Sequence, residues 1–137
     1  FFENKNLLVT NCDIFWNHSN LIDVQNFIYN LDELQHCELL LSNQEKTTGI
    51  IKDKGDFTLK NKNLIRWETN DEIIFYSGLQ KINPQVLNNF DEKKFSMNKV
   101  WDYLINKKQL SGTLMESKLL HIGDINTYID ISSDLST

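Results

Sequence analysis

The sequence has 137 residues, 40% of them hydrophobic and 24% charged, so we expect one domain with a true core. Its net charge of -5 disfavours a nucleic acid polymer or an anionic membrane surface as partner, because both select basic patches. A small phosphorylated ligand is compatible with this charge. No apolar run approaches 18 residues and the two cysteines lack CxxC spacing, which favours a protein of the reducing cytoplasm.

The first half of the chain predicts a strand, a helix and a second strand. Leu7–Val9 is a continuous apolar run, which is typical of a strand covered on both faces of an α/β sheet, and Asp13 follows its carboxyl end. The segment Leu21–Leu34 has apolar residues at spacings of three and four, which predicts a helix with Ser19 or Asn20 as N-cap. Cys37–Leu41 is again short and apolar and predicts another buried strand.

The middle of the chain predicts a hairpin and a long strand. Phe57–Trp67 divides around a polar Asn61-Lys62 turn into two arms, which indicates a hairpin near an edge of the sheet. Ile73–Ile82 is the longest strand candidate. Gly78 interrupts it, at a position where glycine permits a bulge or the close approach of a ligand.

The last third predicts a helix, a short strand and a final helix. Met97–Lys108 has one apolar stripe behind Ser96 as N-cap. A strand beginning at Leu119 turns at Gly123, and a helix starts from Asp124. The alternating order indicates a single α/β domain with a mixed sheet.

Asp13 raises a functional question, because it ends a strand that should be buried. Ligands of open α/β sheets lie beyond the carboxyl ends of the strands, so this carboxylate could meet a metal or a phosphate. An aspartate can equally form a turn with its own backbone amides. The spacing alone does not decide between these roles.

Five segments, in order, carry a resemblance to a known family: NLLVTNCDIFW, GDFTLKNKNLIRW, IIFYSGLQKINPQVLNNF, FSMNKVWDYLINKKQLSG and LLHIGDINTY. Together they resemble sugar-1-phosphate nucleotidyltransferases, especially bacterial N-acetylmuramate-1-phosphate uridylyltransferases and mannose-1-phosphate guanylyltransferase-like proteins. The resemblance implies a Rossmann-like nucleotide-diphospho-sugar transferase fold. It also implies a reaction in which a sugar 1-phosphate attacks the α-phosphorus of an NTP and releases pyrophosphate.

The resemblance implies a metal site that holds Mg²⁺, or Mn²⁺. Asp13 matches the family's metal-binding and catalytic aspartate, in a motif where Cys12 replaces a glycine or alanine. The second metal aspartate is normally in a D-V-G-T turn, which here reads His121-Ile122-Gly123-Asp124. His121 therefore takes the place of the ligand, and imidazole suits Mn²⁺ better than Mg²⁺. His121 could be a metal ligand, a phosphate contact or a structural histidine, and Asp124 could be a displaced metal ligand or a helix N-cap.

Four more residues match substrate-binding elements of the family. Ser77-Gly78 resembles an S-G element that approaches the sugar phosphate, although a simple glycine bulge would look the same. Asp56 belongs to a G-D-F motif that borders the sugar pocket, and Asn43 matches the asparagine of an N-P motif whose proline is Gln44 here. Both could also be ordinary turn residues.

The family's glycine-rich nucleotide loop has no counterpart in this sequence. Its backbone amides would cradle the triphosphate. We therefore expect residues 1–137 to be the C-terminal portion of one nucleotidyltransferase domain, incomplete at the N-terminus and inactive alone. Its partner would be the N-terminal half of the enzyme or a companion chain. The alternatives are a non-catalytic remnant or binding half, and an unrelated α/β binding domain in which Asp13 and His121 lie far apart.

Overall fold

A computed structural model of the chain describes residues 5–11, 14–48, 53–90 and 96–121. Within these ranges the α-helices are α1 (Leu21–Ile28) and α2 (Met97–Asn106). The strands in chain order are β1 (Leu7–Thr10), β2 (Ile14–Phe15), β3 (Cys37–Asn43), β4 (Thr47–Thr48), β5 (Phe57–Lys60), β6 (Asn63–Arg66), β7 (Ile74–Ile82), β8 (Leu110–Leu114) and β9 (Leu119–His121).

The described strands form a six-stranded sheet and a small three-stranded one. The large sheet has the order β1-β7-β3-β8-β6-β5, and the small sheet has the order β2-β9-β4. β3 is parallel to β8, while β7 lies antiparallel between β1 and β3. The predicted α/β class with a mixed sheet is therefore confirmed.

The two faces of the large sheet bury separate cores. On one face, α2 packs Val100, Trp101 and Leu104 against Leu39 and Leu41 of β3. The hairpin strands β5 and β6 contribute Phe57 and Leu64 to the same core. On the other face, the smaller core of α1 consists of Phe27, Leu40, Leu79, Met115 and Leu119. Alternate residues of β3 serve opposite faces, as the period of two in a strand requires.

The prediction that the first strand is buried on both faces is wrong. Strand β1 forms where expected, but Leu8 is 43% exposed and Val9 is 39% exposed. The physical reason is its position: within the described residues, β1 pairs only with β7 and is an edge strand of the large sheet.

The first helix begins as predicted and ends early. α1 stops at Ile28, and Leu31–Glu33 forms a separate 3₁₀ turn after Asn30 leaves the helical region. Asn6 holds this turn by donating from its side-chain amide to the carbonyls of Leu31 and Leu34, at 2.5 and 3.0 Å. The helical spacing of apolar residues therefore continues to Leu34 in the sequence, although the hydrogen bonds from Asn6 hold this segment outside the helix.

The other long elements form close to their predicted bounds. The two-residue hairpin turn contains Asn61 at φ 58°, a conformation that asparagine tolerates. α2 ends two residues earlier than predicted, and Lys108 at φ 57° follows in a left-handed conformation typical of helix ends.

Some elements were not predicted or cannot be compared. Strand β8 and the two-residue strands β2 and β4 were missed. The predicted turn at Gly123 and the helix from Asp124 lie outside the described residues. In the described ranges, no helix is long and apolar enough to cross a bilayer.

Candidate functional site

Three parallel strands end at one edge of the large sheet. β1 and β3 are both antiparallel to β7, and β8 is parallel to β3, so Thr10, Asn43 and Leu114 lie at the same edge. We call it the carboxyl edge. Ligands of α/β sheets collect at such an edge, so it is the candidate site.

Asp13 lies outside the described residues, but the residues on either side of it make backbone contacts with β7 and β9. The Asn11 amide donates to the carbonyl of Gly78 at 2.7 Å. Ile14 pairs with His121 across the antiparallel strands β2 and β9. Asn11 and Ile14, the described residues that flank this segment, therefore lie beside the middle of β7 and beside the strand that contains His121.

The small sheet links the candidate metal-binding segments. β9 pairs with β2 on one side, and on the other side it pairs with β4, which follows β3. The structure describes the backbone of His121, whereas Asp124 lies outside the described residues. Among the described residues, no group of three or more His, Cys, Asp or Glu side chains could hold a metal ion.

Ser77 and Gly78 form a bulge in the middle of β7. The pairing register with β3 shifts between Leu39 and Leu41 opposite this point, and Gly78 has φ 102°. Ser77 is fully buried, and its hydroxyl accepts a hydrogen bond from the Leu79 amide at 3.2 Å. The Ser77 hydroxyl is thus engaged within the bulge.

Asn43 and Asp56 both lie beside the start of β7. Asn43 is the Cα partner of Ile74 at the end of β3. The Asp56 amide donates to the Ile74 carbonyl at 2.8 Å, and its carboxylate accepts from the Tyr76 amide at 3.0 Å. Asn43 and Asp56 thus both lie beside the first residues of β7, and the bulge follows later in the same strand.

Gln44 is a candidate that sequence reasoning missed. It follows Asn43 directly, and its backbone amide donates to the Ile73 carbonyl at 3.1 Å. Its side-chain oxygen is buried and has no hydrogen-bond partner within the described residues. Buried acceptors usually have a donor, such as water or a ligand. The only signal in the sequence was that a glutamine stands where the family has proline.

Asn20 and Asp23 attach the first helix to the loop before β9. Asn20 is fully buried, and its amide donates to Ser117 Oγ and to the Lys118 carbonyl, both at 2.8 Å. The Asp23 carboxylate accepts from the amides of Glu116 and Ser117, at 3.0 and 2.9 Å. These bonds fix the segment that leads to His121. Sequence reasoning treated Asn20 only as a possible helix cap.

An apolar groove of about 270 Å³ lies between the end of β1 and α1. Trp16, Leu21, Val24 and Leu79 supply its apolar lining, and the Trp16 indole donates to the Thr10 hydroxyl at 3.3 Å. Thr10, at the end of β1, also lines the groove.

Comparison with known proteins gives a match at the level of structure. No family model and no curated protein matches the sequence. A solved structure does match: a candidate glucose-1-phosphate thymidylyltransferase from Bacillus anthracis, determined in complex with sucrose, with a TM-score of 0.68. The likeness covers 96% of this chain at 13% identity.

The chain has the Rossmann-like nucleotide-diphospho-sugar transferase fold. This confirms the fold predicted from the five sequence segments. At 13% identity the likeness supports the fold and not membership of a particular family. The chain spans 55% of the length of this structural neighbour. Of the substrate-binding residues predicted from the sequence, Asn43 ends β3 at the carboxyl edge, Asp56 bonds to the first half of β7, and Ser77-Gly78 lies in the middle of β7.

Proposed function

We propose that this chain is the acceptor side of a sugar-1-phosphate nucleotidyltransferase in the cytoplasm. A phosphate oxygen of the sugar 1-phosphate would bond to the α-phosphorus of an NTP as the bond to the β-phosphate oxygen breaks and pyrophosphate leaves. The observation that carries the proposal is the pairing of Ile14 with His121, because it joins the two candidate metal-binding segments at the carboxyl edge of a transferase fold.

In this proposal, Asp13 is the principal metal ligand and the catalytic carboxylate. His121 or Asp124 would supply a second ligand from the segment that begins with β9. A bound Mg²⁺ or Mn²⁺ would offset the charge of the phosphates and align them. If His121 is the second ligand, the combination of imidazole and carboxylate would suit Mn²⁺ better than Mg²⁺, whereas two carboxylates from Asp13 and Asp124 would suit either ion.

The proposed sugar-phosphate contacts lie along the first half of β7. The backbone of the Ser77-Gly78 bulge would face the phosphate, since the Ser77 hydroxyl is engaged with Leu79. Asn43 and Asp56 would border the sugar. Gln44 adds a buried acceptor to this group, one that a sugar hydroxyl could satisfy.

We further propose that a companion segment docks against β1 and supplies the nucleotide-binding loop. Within the described residues, every exposed large hydrophobic side chain belongs to β1 or to α1 and its end: Leu8, Val9, Leu21, Ile22 and Tyr29. The edge of β1 and the neighbouring apolar groove would accept another strand and an apolar helix face. We call Leu8, Val9, Leu21 and the groove the β1 surface.

Docking of a companion segment would explain why the apolar strand β1 has exposed side chains in this structure. The apolar run Leu7–Val9 is typical of a strand with both faces covered, yet Leu8 and Val9 are exposed on opposite faces of an edge strand. An α/β segment that extends the sheet beyond β1 would cover both. About half of the structural neighbour has no counterpart in this chain, which supports a partner of this size.

The test is a pyrophosphate-release assay with and without the companion segment. Its reagent is the product of the coding frame upstream, provided that this frame encodes a glycine-rich loop. A panel of sugar 1-phosphates and NTPs is supplied with Mg²⁺ or Mn²⁺. We expect release only from the combined chains and loss of release with Asp13→Asn. Absence of turnover in the combined chains would contradict the enzyme proposal and favour the second candidate, a non-catalytic binding half.

A further inference from the structure

A buried ion pair lies on the α1 face of the sheet, away from the carboxyl edge. Glu38, near the start of β3, is the Cα partner of Lys81, near the end of β7, and their side chains form a salt bridge. The Lys81 side chain is only 7% exposed and that of Glu38 14%. The Thr113 hydroxyl donates to the second oxygen of Glu38 at 3.0 Å.

The ion pair lines an open cavity. Lys81, Glu38 and Thr113 share a space of about 340 Å³ with residues of α1 and the following turn, including Asn26 and Asn30. We call it the Lys81 pocket. Its volume falls within the range of about 300–1,000 Å³ that is usual for small-molecule sites.

Stability alone is a weak reason for these charges. Apolar side chains of similar volume usually stabilise a core as well as a buried ion pair does, because desolvation offsets the attraction. The Lys81 ammonium carries three donors, yet within the described residues its contacts are Glu38 and the Phe27 ring, at 4.5 Å from the ring centroid. Donor capacity therefore remains beside the cavity.

The charges around the pocket favour a neutral, hydroxylated ligand. Its charged lining comprises Lys62 and Lys81 against Asp23, Glu38 and Glu116, so it offers no net attraction for an anion. A hydroxyl both donates and accepts, so adjacent hydroxyls can bridge an ammonium and a carboxylate without separating them. Leu40 and Ile22 add apolar lining for the CH groups of a sugar ring or chain.

We propose that the Lys81 pocket binds a small polyhydroxylated molecule, a monosaccharide or a sugar alcohol, with Lys81 and Glu38 contacting its hydroxyls. The ion pair lies near the start of β3, at the opposite end from the carboxyl edge, although Leu114 of that edge also lines the pocket; the inference does not depend on the transferase proposal. It assigns to the ion pair a binding function as well as a structural one.

The test is an NMR titration of the full ¹⁵N-labelled chain with D-glucose, D-mannose, sorbitol and, separately, inorganic phosphate. We expect saturable shifts of the Asn26, Asn30 and Thr113 amides with at least one neutral polyol, and none with phosphate. Lys81→Met should weaken binding by about tenfold or more, the effect of losing a hydrogen bond to a charged group. Lys60→Met, at an exposed lysine of β5, is the matched control.

A second variant covers the case in which Lys81→Met fails to fold. Thr113→Val preserves the shape of the side chain but removes the hydroxyl that holds Glu38, and should weaken binding several-fold. Three results would overturn the inference: no saturable shift with any polyol, shifts with phosphate alone, or equal affinity in wild type and in both pocket variants.

Discussion

Ile14 and His121 are paired residues of β2 and β9, separated by more than a hundred positions in the sequence. This pairing brings the segment after β1 against the segment before the predicted turn at Gly123. Covalent continuity then limits how far the neighbouring positions 13 and 122 can lie from the pair. The proposed metal site rests on this relationship.

Gly78→Ala should destabilise the protein, because Gly78 has φ 102° at the bulge of β7. We expect a loss of about 1–3 kcal/mol in the free energy of unfolding, measured by urea denaturation. Asn61→Gly, in the hairpin turn at φ 58°, is the control and should be close to neutral. A neutral effect of Gly78→Ala would contradict the described bulge.

The Asp56 side chain should stabilise the fold, and this effect can be measured separately from any effect on substrate binding. Asp56→Ala removes the acceptor of the Tyr76 amide and should lower the unfolding free energy by about 1–2 kcal/mol. Asp56→Asn keeps an oxygen acceptor and should retain most of the stability. If Asp56→Asn also loses sugar 1-phosphate binding, measured by calorimetry, the side chain has both functions; unchanged binding would remove it from the proposed site.

Alkaline pH should destabilise the protein through Cys37. Burial, reinforced by Glu38, raises the pKa of the Cys37 thiol from 9.0 to about 12. Between these values the unfolded thiol loses its proton and the folded one keeps it, so the stabilisation present below pH 9 is lost as the pH rises toward 12. The contribution to the slope is at most about 1.4 kcal/mol per pH unit.

The measurement is urea denaturation of wild type and Cys37→Ala at several values of pH above 9. The free energy of unfolding should fall less steeply with rising pH in the variant than in wild type. Any contribution from Cys12 is common to both proteins. Burial also raises the pKa of Tyr76, with the Cys37 charge adding to the shift and the neighbouring Gln80 side chain opposing it. Parallel declines in the two proteins would contradict the assigned burial of the Cys37 thiol.

The ion pair between Arg66 and Asp102 links the β5–β6 hairpin to α2 and should contribute only modestly to the free energy of unfolding. Its guanidinium pairs with Asp102 at 2.8 Å, donates to Asn98 and lies 5.1 Å from the Phe57 ring centroid. Both charged side chains are substantially exposed, so a double-mutant cycle of Arg66→Met and Asp102→Asn should give a coupling of about 0.2–1 kcal/mol. Thermal denaturation in low and high salt checks it, since screening should reduce the coupling.

Val9→Lys should weaken docking of the companion segment, because it places a charge on the β1 surface. A buried unpaired charge is costly, and we expect the affinity to fall by about tenfold or more in light scattering or calorimetry. Tyr29→Lys is the control, since Tyr29 is 85% exposed at the far end of α1. An equal loss of affinity in both variants, or unchanged affinity in both, would exclude the β1 surface as the docking site.

Local patterns predicted the long elements because their signals are local. The long strand candidate that became β7, the Asn61-Lys62 turn and the apolar stripe of α2 all depend on neighbouring residues, and each formed near its predicted bounds. The early end of α1 was missed because Asn6, far away in sequence, holds Leu31 and Leu34. β8 was missed because Ser111, Gly112 and Thr113 lack strand-like alternation, and its pairing with β3 decides the conformation.

The candidate site was predictable only in part. The resemblance proposed Asn43, Asp56 and Ser77-Gly78 as substrate-binding residues; the structure places each of them in or beside β7, and their binding roles stay predictions. Asn20, Asp23 and Gln44 were not predictable as site residues, since their roles depend on partners distant in the fold or on the lack of one. Asp13 and Asp124 lie outside the described residues, so their assignment as metal ligands stays a prediction.

The most direct test of the metal site is an NMR titration of the ¹⁵N-labelled chain with Mn²⁺, whose unpaired electrons broaden the signals of nearby amides. The account predicts selective broadening at Asn11, Ile14 and Leu119–His121, reversal by a chelator, and loss of the effect in Asp13→Asn. Amides of the distant β5–β6 turn should stay sharp. Broadening that is absent from these two segments, or that persists unchanged in Asp13→Asn, would contradict a shared cation between Asp13 and the His121 strand.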